Sequence, residues 1–156
     1  MKTVVEVGFN GGHSAAAFLS ARPDVKVISF DLGFHNYVLS AKRLIDRLYP
    51  ERHLLIIGDS TKTVPLSTSL FRLGAGVADL AYIDGGHGDL VPYQDIVNFL
   101  KILPPGGHVI VDDYCQTYGI YGVIQGWERA LAAGLLTLAD GPFTVRDRGW
   151  IVGRKP

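Results

Sequence analysis

The sequence predicts an α/β fold, a mostly parallel sheet with helices on both faces, and three observations predict it. Short apolar or β-branched runs at 4–7, 25–30, 53–57, 78–83 and 108–111 alternate with segments of helical periodicity. Each run ends in a glycine, an acid or both, and in a parallel sheet those ends gather on one side, where such folds bind ligands. After residue 134 the pattern changes. Leu135-Leu-Thr-Leu138, Phe143-Thr-Val145 and Trp150-Ile-Val152, around the turn Arg146-Asp-Arg-Gly149, read as a closing antiparallel pair.

Composition narrows the function. The 156 residues suit one domain, 1–156, with 47% hydrophobic and 19% charged residues, as expected of a compact chain. Fifteen basic residues balance fifteen acidic ones, so no overall field draws the protein to nucleic acid or to an anionic membrane. Cys115, the single cysteine, excludes an internal disulfide and cysteine-rich zinc sites and fits a reducing cytoplasm. Met1-Lys-Thr runs straight into a strand, which leaves no room for a signal peptide, and no apolar run reaches the ~20 residues of a membrane span. A cytoplasmic location follows as the expectation.

The first strand leads into Gly8-Phe-Asn-Gly-Gly-His-Ser14 and then the good helix formers Ala15-Ala-Ala-Phe-Leu19. Such a junction points free N–H groups at whatever lies above the strand, and its glycines allow close approach. Gly8, Gly11 and Gly12 do not make the G-x-G-x-x-G of dinucleotide binders, and Glu6 would repel a pyrophosphate. A cationic or zwitterionic ligand fits better.

Glu6-Val-Gly-Phe-Asn-Gly-Gly-His-Ser14 resembles the first motif of class I S-adenosylmethionine-dependent methyltransferases, and its wording is similar to the small-molecule O-methyltransferases of the macrolide and aminocoumarin sugar type. The resemblance implies a Rossmann-like methyltransferase fold, a seven-stranded sheet with a C-terminal antiparallel pair. It also implies S-adenosylmethionine as cofactor, held by Glu6, Gly8, Phe9, Asn10, Gly11, Gly12, His13 and Ser14. Relatives carry residues before the first strand that help form a lid; here the chain starts at that strand, so an N-terminal lid is expected to be missing.

The remaining strand ends extend the likeness. Asp31, with Leu32 and Gly33 after it, stands where the family places its ribose-binding acid, and the alternative is a strand-end Asp that caps a turn. Residues 37–48 read as an amphipathic covering helix with Tyr37, Leu39, Ala41, Leu44, Ile45 and Leu48 inward. Gly58-Asp59-Ser60 is similar to the family's motif at the adenine end; Asp59 accepts from the exocyclic amine or caps the next helix, two roles of equal weight. That next helix is read at 66–73, ending at Gly74-Ala-Gly76, and later helices at 93–103 and 118–133.

Asp84-Gly-Gly-His87 resembles the Ile-Asp-Gly-Asp-His pattern, with Gly86 where an acid is common, which leaves His87 as the proton acceptor. Asp112 and Asp113 are adjacent carboxylates after an apolar strand and repel each other unless a cation or several donors intervene. With Asp84 they make a candidate magnesium site; the alternative is one capping Asp and one solvated Asp. The expected activity is metal-assisted O-methylation of a small hydroxylated acceptor, with catalysis by His87 and Asp84 and no nucleic-acid or membrane partner. A homo-oligomer is compatible with the sequence. The rivals are an N- or protein methyltransferase without metal, a non-catalytic cofactor-binding module, and, disfavoured by Glu6, a nicotinamide-dependent oxidoreductase.

Overall fold

A computed structural model describes residues 2–70, 76–88, 90–115 and 121–156. Five strands run parallel: β1 (Thr3–Val7), β2 (Lys26–Asp31), β3 (His53–Ile57), β4 (Leu80–Ile83) and β5 (His108–Asp112). β6 (Thr137–Val145) and β7 (Arg148–Arg154) close the sheet as a hairpin, in the order β3-β2-β1-β4-β5-β7-β6. This is the seven-stranded, mostly parallel sheet with a C-terminal antiparallel pair that the sequence predicts. The reversal of order beside β1 sets the carboxyl ends of β1 and β4 next to each other, at the position where doubly wound sheets bind ligands.

Alternation along each strand divides the core between two faces. Val5 and Val7 face α3 (Ser60–Leu70), α4 (Val91–Leu100) and α5 (Tyr121–Ala132), in a cluster with Phe99 and Trp127. Val4 faces α1 (His13–Ala21) and α2 (Val38–Leu48), with Leu19 and Ile45. α5 lies close on its neighbours because two of its residues are glycine: a Cβ at Gly126 would stand 2.8 Å from the Tyr93 nitrogen, and one at Gly122 would stand 2.1 Å from the His87 carbonyl oxygen. The second contact presses α5 onto the loop that carries His87.

Several elements differ from their expected bounds. α3 begins at Ser60 rather than residue 66, because Asp59 caps it and Pro65 sits in the second turn, where it removes one backbone bond. The expected end of that helix, 71–75, and the expected start of α5, 118–120, lie outside the described residues. On α2 the buried stripe is Val38 and Ile45, while Leu39, Leu44 and Leu48 are about half exposed; the helix covers the sheet margin, and among the described residues its flanks are only partly covered. The two strand pieces expected at 135–138 and 143–145 form one strand with irregular register against β7. No helix among the described residues is long and apolar enough to cross a membrane.

Trp127 is fully buried, edge-on to Tyr114 at 6.2 Å and beneath Gly153. Trp127→Ala is therefore expected to cost ~3–5 kcal/mol, the range for emptying a large aromatic site. Urea unfolding checks it, through a lowered midpoint at an unchanged slope.

Candidate active site

The carboxyl ends of β1 and β4 touch. A Cβ at Gly8, whose φ is +96°, would lie 1.9 Å from the Asp84 carbonyl oxygen, so only glycine allows the two ends to meet there. Above them opens a cavity of about 640 Å³ whose wall includes Gly8, Asn10, Asp31, Asp59, Ser60 and Asp84. Leu32 and Phe34 supply its apolar side, Phe34 being 83% exposed at the rim.

The glycine-rich loop is tied to β2 by Asp31. Its Oδ2 accepts the Asn10 N–H at 2.8 Å and its Oδ1 accepts the Gly33 N–H at 2.7 Å. Asn10 has a positive φ of 48°, a conformation asparagine tolerates, and its side-chain oxygen accepts from the Tyr37 hydroxyl at 2.5 Å. Asp59 caps α3, accepting from the Thr61 N–H at 3.0 Å and the Thr61 hydroxyl at 2.7 Å. These bonds, led by the Thr61 hydroxyl, hold its carboxyl below the ordinary range. Capping and cavity lining thus coincide at Asp59.

Other members of the first motif lie away from the cavity wall. Phe9 is buried and stacks on His53 at 4.9 Å. Gly12 caps α1 in the left-handed conformation, and α1 has no side-chain cap, so its first N–H groups remain for a ligand. His13 starts that helix on its exposed side. Glu6 lies under the loop on the α1 face, fully buried. The Ser29 hydroxyl donates to it at 2.6 Å and so accepts from His53 Nε2 at 2.8 Å. Burial pushes Glu6 up to about 7, against the pull of the Ser29 and Ser14 hydroxyls, and pushes His53 down to about 4. Both groups are neutral in the folded protein near pH 6. Glu6 holds the floor of the loop and is not turned to the cavity.

At the far side of the Gly8 junction stand Asp84, His87 and Asp113, each offering a ligand atom within 4.8 Å of the others. His87 Nε2 lies 3.0 Å from Asp113 Oδ2, and Arg148 Nη1 donates to Asp113 Oδ1 at 3.0 Å. Asp113 has a φ of 56° and is nearly buried, a strained backbone that aims its carboxylate at the cluster. Asp112 is not brought into the group: one oxygen accepts from the Tyr82 hydroxyl and the other from the Asp113 N–H at 2.8 Å. Burial raises Asp84 to about 7, and the charges of Asp112, Asp113 and Glu6 add to it. A second acid behind the loop, Asp95, is raised to about 6 by burial, with the Ser60 hydroxyl acting the other way. Sequence reading missed Arg148, Asp95 and Phe34. Phe34, an apolar residue in a loop after a site acid, is the one that carried a local signal.

The decisive comparison is with a methyltransferase domain family whose model matches residues 5–114. The chain belongs to this family. The match runs from β1 through the Asp112-Asp113 pair and so takes in the cleft and the acidic cluster of this methyltransferase domain. No curated protein matches the sequence. Among solved structures, a protein from Staphylococcus aureus provisionally assigned as a caffeoyl-CoA O-methyltransferase is 17% identical, with a TM-score of 0.78 over 99% of this chain and 76% of its own. CalS11, a TDP-rhamnose 3'-O-methyltransferase of calicheamicin biosynthesis, is 14% identical, with a TM-score of 0.73 over 97% of this chain and 71% of its own. A Burkholderia thailandensis 1,6-didemethyltoxoflavin-N1-methyltransferase, solved with S-adenosylhomocysteine, is 15% identical, with a TM-score of 0.73 over 98% of this chain and 70% of its own. At these identities the structural likeness establishes the methyltransferase fold.

The buried Glu6 of the methyltransferase loop sets a pH dependence. Its folded-state value, about 7, lies above the unfolded value near 4.5, so the folded state binds the extra proton and loses stability as pH rises between the two. Glu6→Gln is expected to leave stability unchanged below pH 4.5 and to raise it by up to ~3 kcal/mol above pH 7. Thermal melts of both proteins from pH 4 to 8 measure the difference.

Proposed function

We propose that this methyltransferase domain transfers a methyl group from S-adenosylmethionine to a hydroxyl oxygen of a small molecule, with magnesium held at the acidic cluster. The observation that carries the reading is the convergence of Asp84, His87 and Asp113 beside the Gly8 junction, where the cofactor cleft ends. Asp31 already receives two backbone N–H groups, and the further lone pairs of its carboxylate suit the ribose hydroxyls. Leu32 and Ser60 would border the adenine, Asp59 would receive its amine, and the uncapped start of α1 suits the amino-acid carboxylate.

S-adenosylmethionine supplies a methyl group already activated on sulfur, so the residues have to position the acceptor and remove its proton. Asp84 and Asp113 would hold the magnesium; burial first, and then the neighbouring carboxylates, lift Asp84 to about 7, and a hard, oxygen-seeking cation would offset both costs of its charge. Such an ion lowers the pKa of a bound hydroxyl. His87 then takes the proton. Asp113 holds its ring through Nε2, so Nδ1 is the nitrogen that would receive the acceptor proton. Buried Cys115 suits a reducing compartment and agrees with action in the cytosol.

Transfer of labelled methyl to a panel of catechols and sugars tests the reading. Excess chelator should abolish transfer and magnesium restore it; full activity in chelator would favour an N- or protein acceptor instead. His87→Ala should lower turnover roughly 10²-fold at unchanged cofactor affinity, and equal turnover across pH would remove His87 as the base. Asp31→Ala should weaken S-adenosylhomocysteine binding by more than ~1 kcal/mol in calorimetry, since it loses both the ribose acceptor and the loop tie.

A further inference from the structure

The cluster at Asp113 already contains a fixed positive charge. Arg148, the first residue of β7, donates through Nη1 to Oδ1 at 3.0 Å, while His87 occupies Oδ2 at 3.0 Å. Both oxygens of a carboxylate that is 7% exposed are therefore engaged by nitrogen donors. The arginine side chain is 66% exposed, so the pair sits at the protein surface rather than in the core. Arginine keeps its charge at any working pH, so no change of acidity dismisses it.

From this geometry we infer that Arg148 is the resident counter-cation of the acidic site and competes with a divalent metal for Asp113. The inference rests on the proposed metal site. With the guanidinium in place, Asp113 is charge-compensated and the left-handed backbone that aims it is held without a metal. A divalent ion that takes Oδ1 must displace Nη1, and the two positive charges then repel each other across a few ångströms. The arginine therefore raises the metal concentration at which the site fills. A structural role would act the opposite way, because loss of a residue that shaped the site would weaken metal binding.

The test reads metal binding directly, with Mn²⁺ in place of Mg²⁺ and free Mn²⁺ followed by electron paramagnetic resonance, in the full chain without cofactor or acceptor. Arg148→Gln should bind Mn²⁺ about fivefold or more tightly than the wild type, the factor set by breaking a partly exposed ion pair. Arg148→Lys, which keeps the charge but has no planar fork, should fall between them. Arg154→Gln removes the same charge at the other end of β7, about 20 Å away and beyond the screening length, and should stay within about twofold of the wild type. Equal affinity in Arg148→Gln and wild type, with Mn²⁺ bound by both, would overturn the competition and leave the metal site standing. Weaker binding in Arg148→Gln would overturn it in favour of a structural role. Absence of Mn²⁺ binding in every variant would overturn the metal site and the competition together.

Discussion

The contact on which the site depends is the approach of two backbones, the end of β1 at Gly8 and the end of β4 at Asp84. No side chain can stand between them, because even a methyl group at Gly8 would overlap the Asp84 carbonyl oxygen at 1.9 Å. This closeness places the glycine-rich loop directly beside the loop that carries Asp84 and His87. Methyl transfer needs donor and acceptor in line at short range, and on the proposed reading of the site the shared floor of β1 and β4 would supply that proximity. α5 adds to it from below, since Gly122 lets the helix press on the His87 carbonyl oxygen.

Gathering acids at one sheet edge carries an electrostatic cost, and each acid meets it differently. Asp31 and Asp59 face the cavity but take backbone and hydroxyl donors. Glu6 and Asp95, buried on opposite faces of the sheet, are raised toward neutrality. Asp112 turns to Tyr82, and burial of that hydroxyl together with the Asp112 bond pushes the Tyr82 pKa far up. Asp113 alone in the cluster is held between Arg148 and His87. Asp84 is raised to about 7 by burial and by the charges of Asp112, Asp113 and Glu6, with Arg148 acting the other way, and a cation beside it would offset those costs.

Much of this was legible in the sequence because parallel strands bring all their terminal residues to one side. The strand runs located β1 to β5, and the acids at their ends followed. What periodicity could not show was direction within a motif. Phe9 reads as a ligand contact and turns inward onto His53, and Glu6 reads as a cavity acid and lies beneath the loop, because both depend on which way a tight turn faces. The inward face of α2 was overread for a related reason, since a helix at the sheet margin buries a narrower stripe than its apolar residues suggest. Pro65 hid the first turns of α3, where the cap at Asp59 outweighed one lost backbone bond.

Arg148 was invisible for a topological reason, and that reason shows what the antiparallel hairpin contributes. A further parallel strand beside β5 would have begun at the far edge of the sheet and delivered only its last residue to the site. β7 runs the other way, pairing Asp112 with Trp150 and His108 with Arg154, so its first residue arrives at the active edge. Gly149 makes the arrival close: its carbonyl oxygen accepts the Tyr114 N–H at 2.9 Å, and a Cβ there would meet the Tyr114 oxygen at 2.4 Å. That backbone tie sits one residue from Arg148 on one strand and one residue from Asp113 on the other. The reversal of chain direction is thus what sets a permanent cation against a carboxylate 35 residues earlier in the sequence.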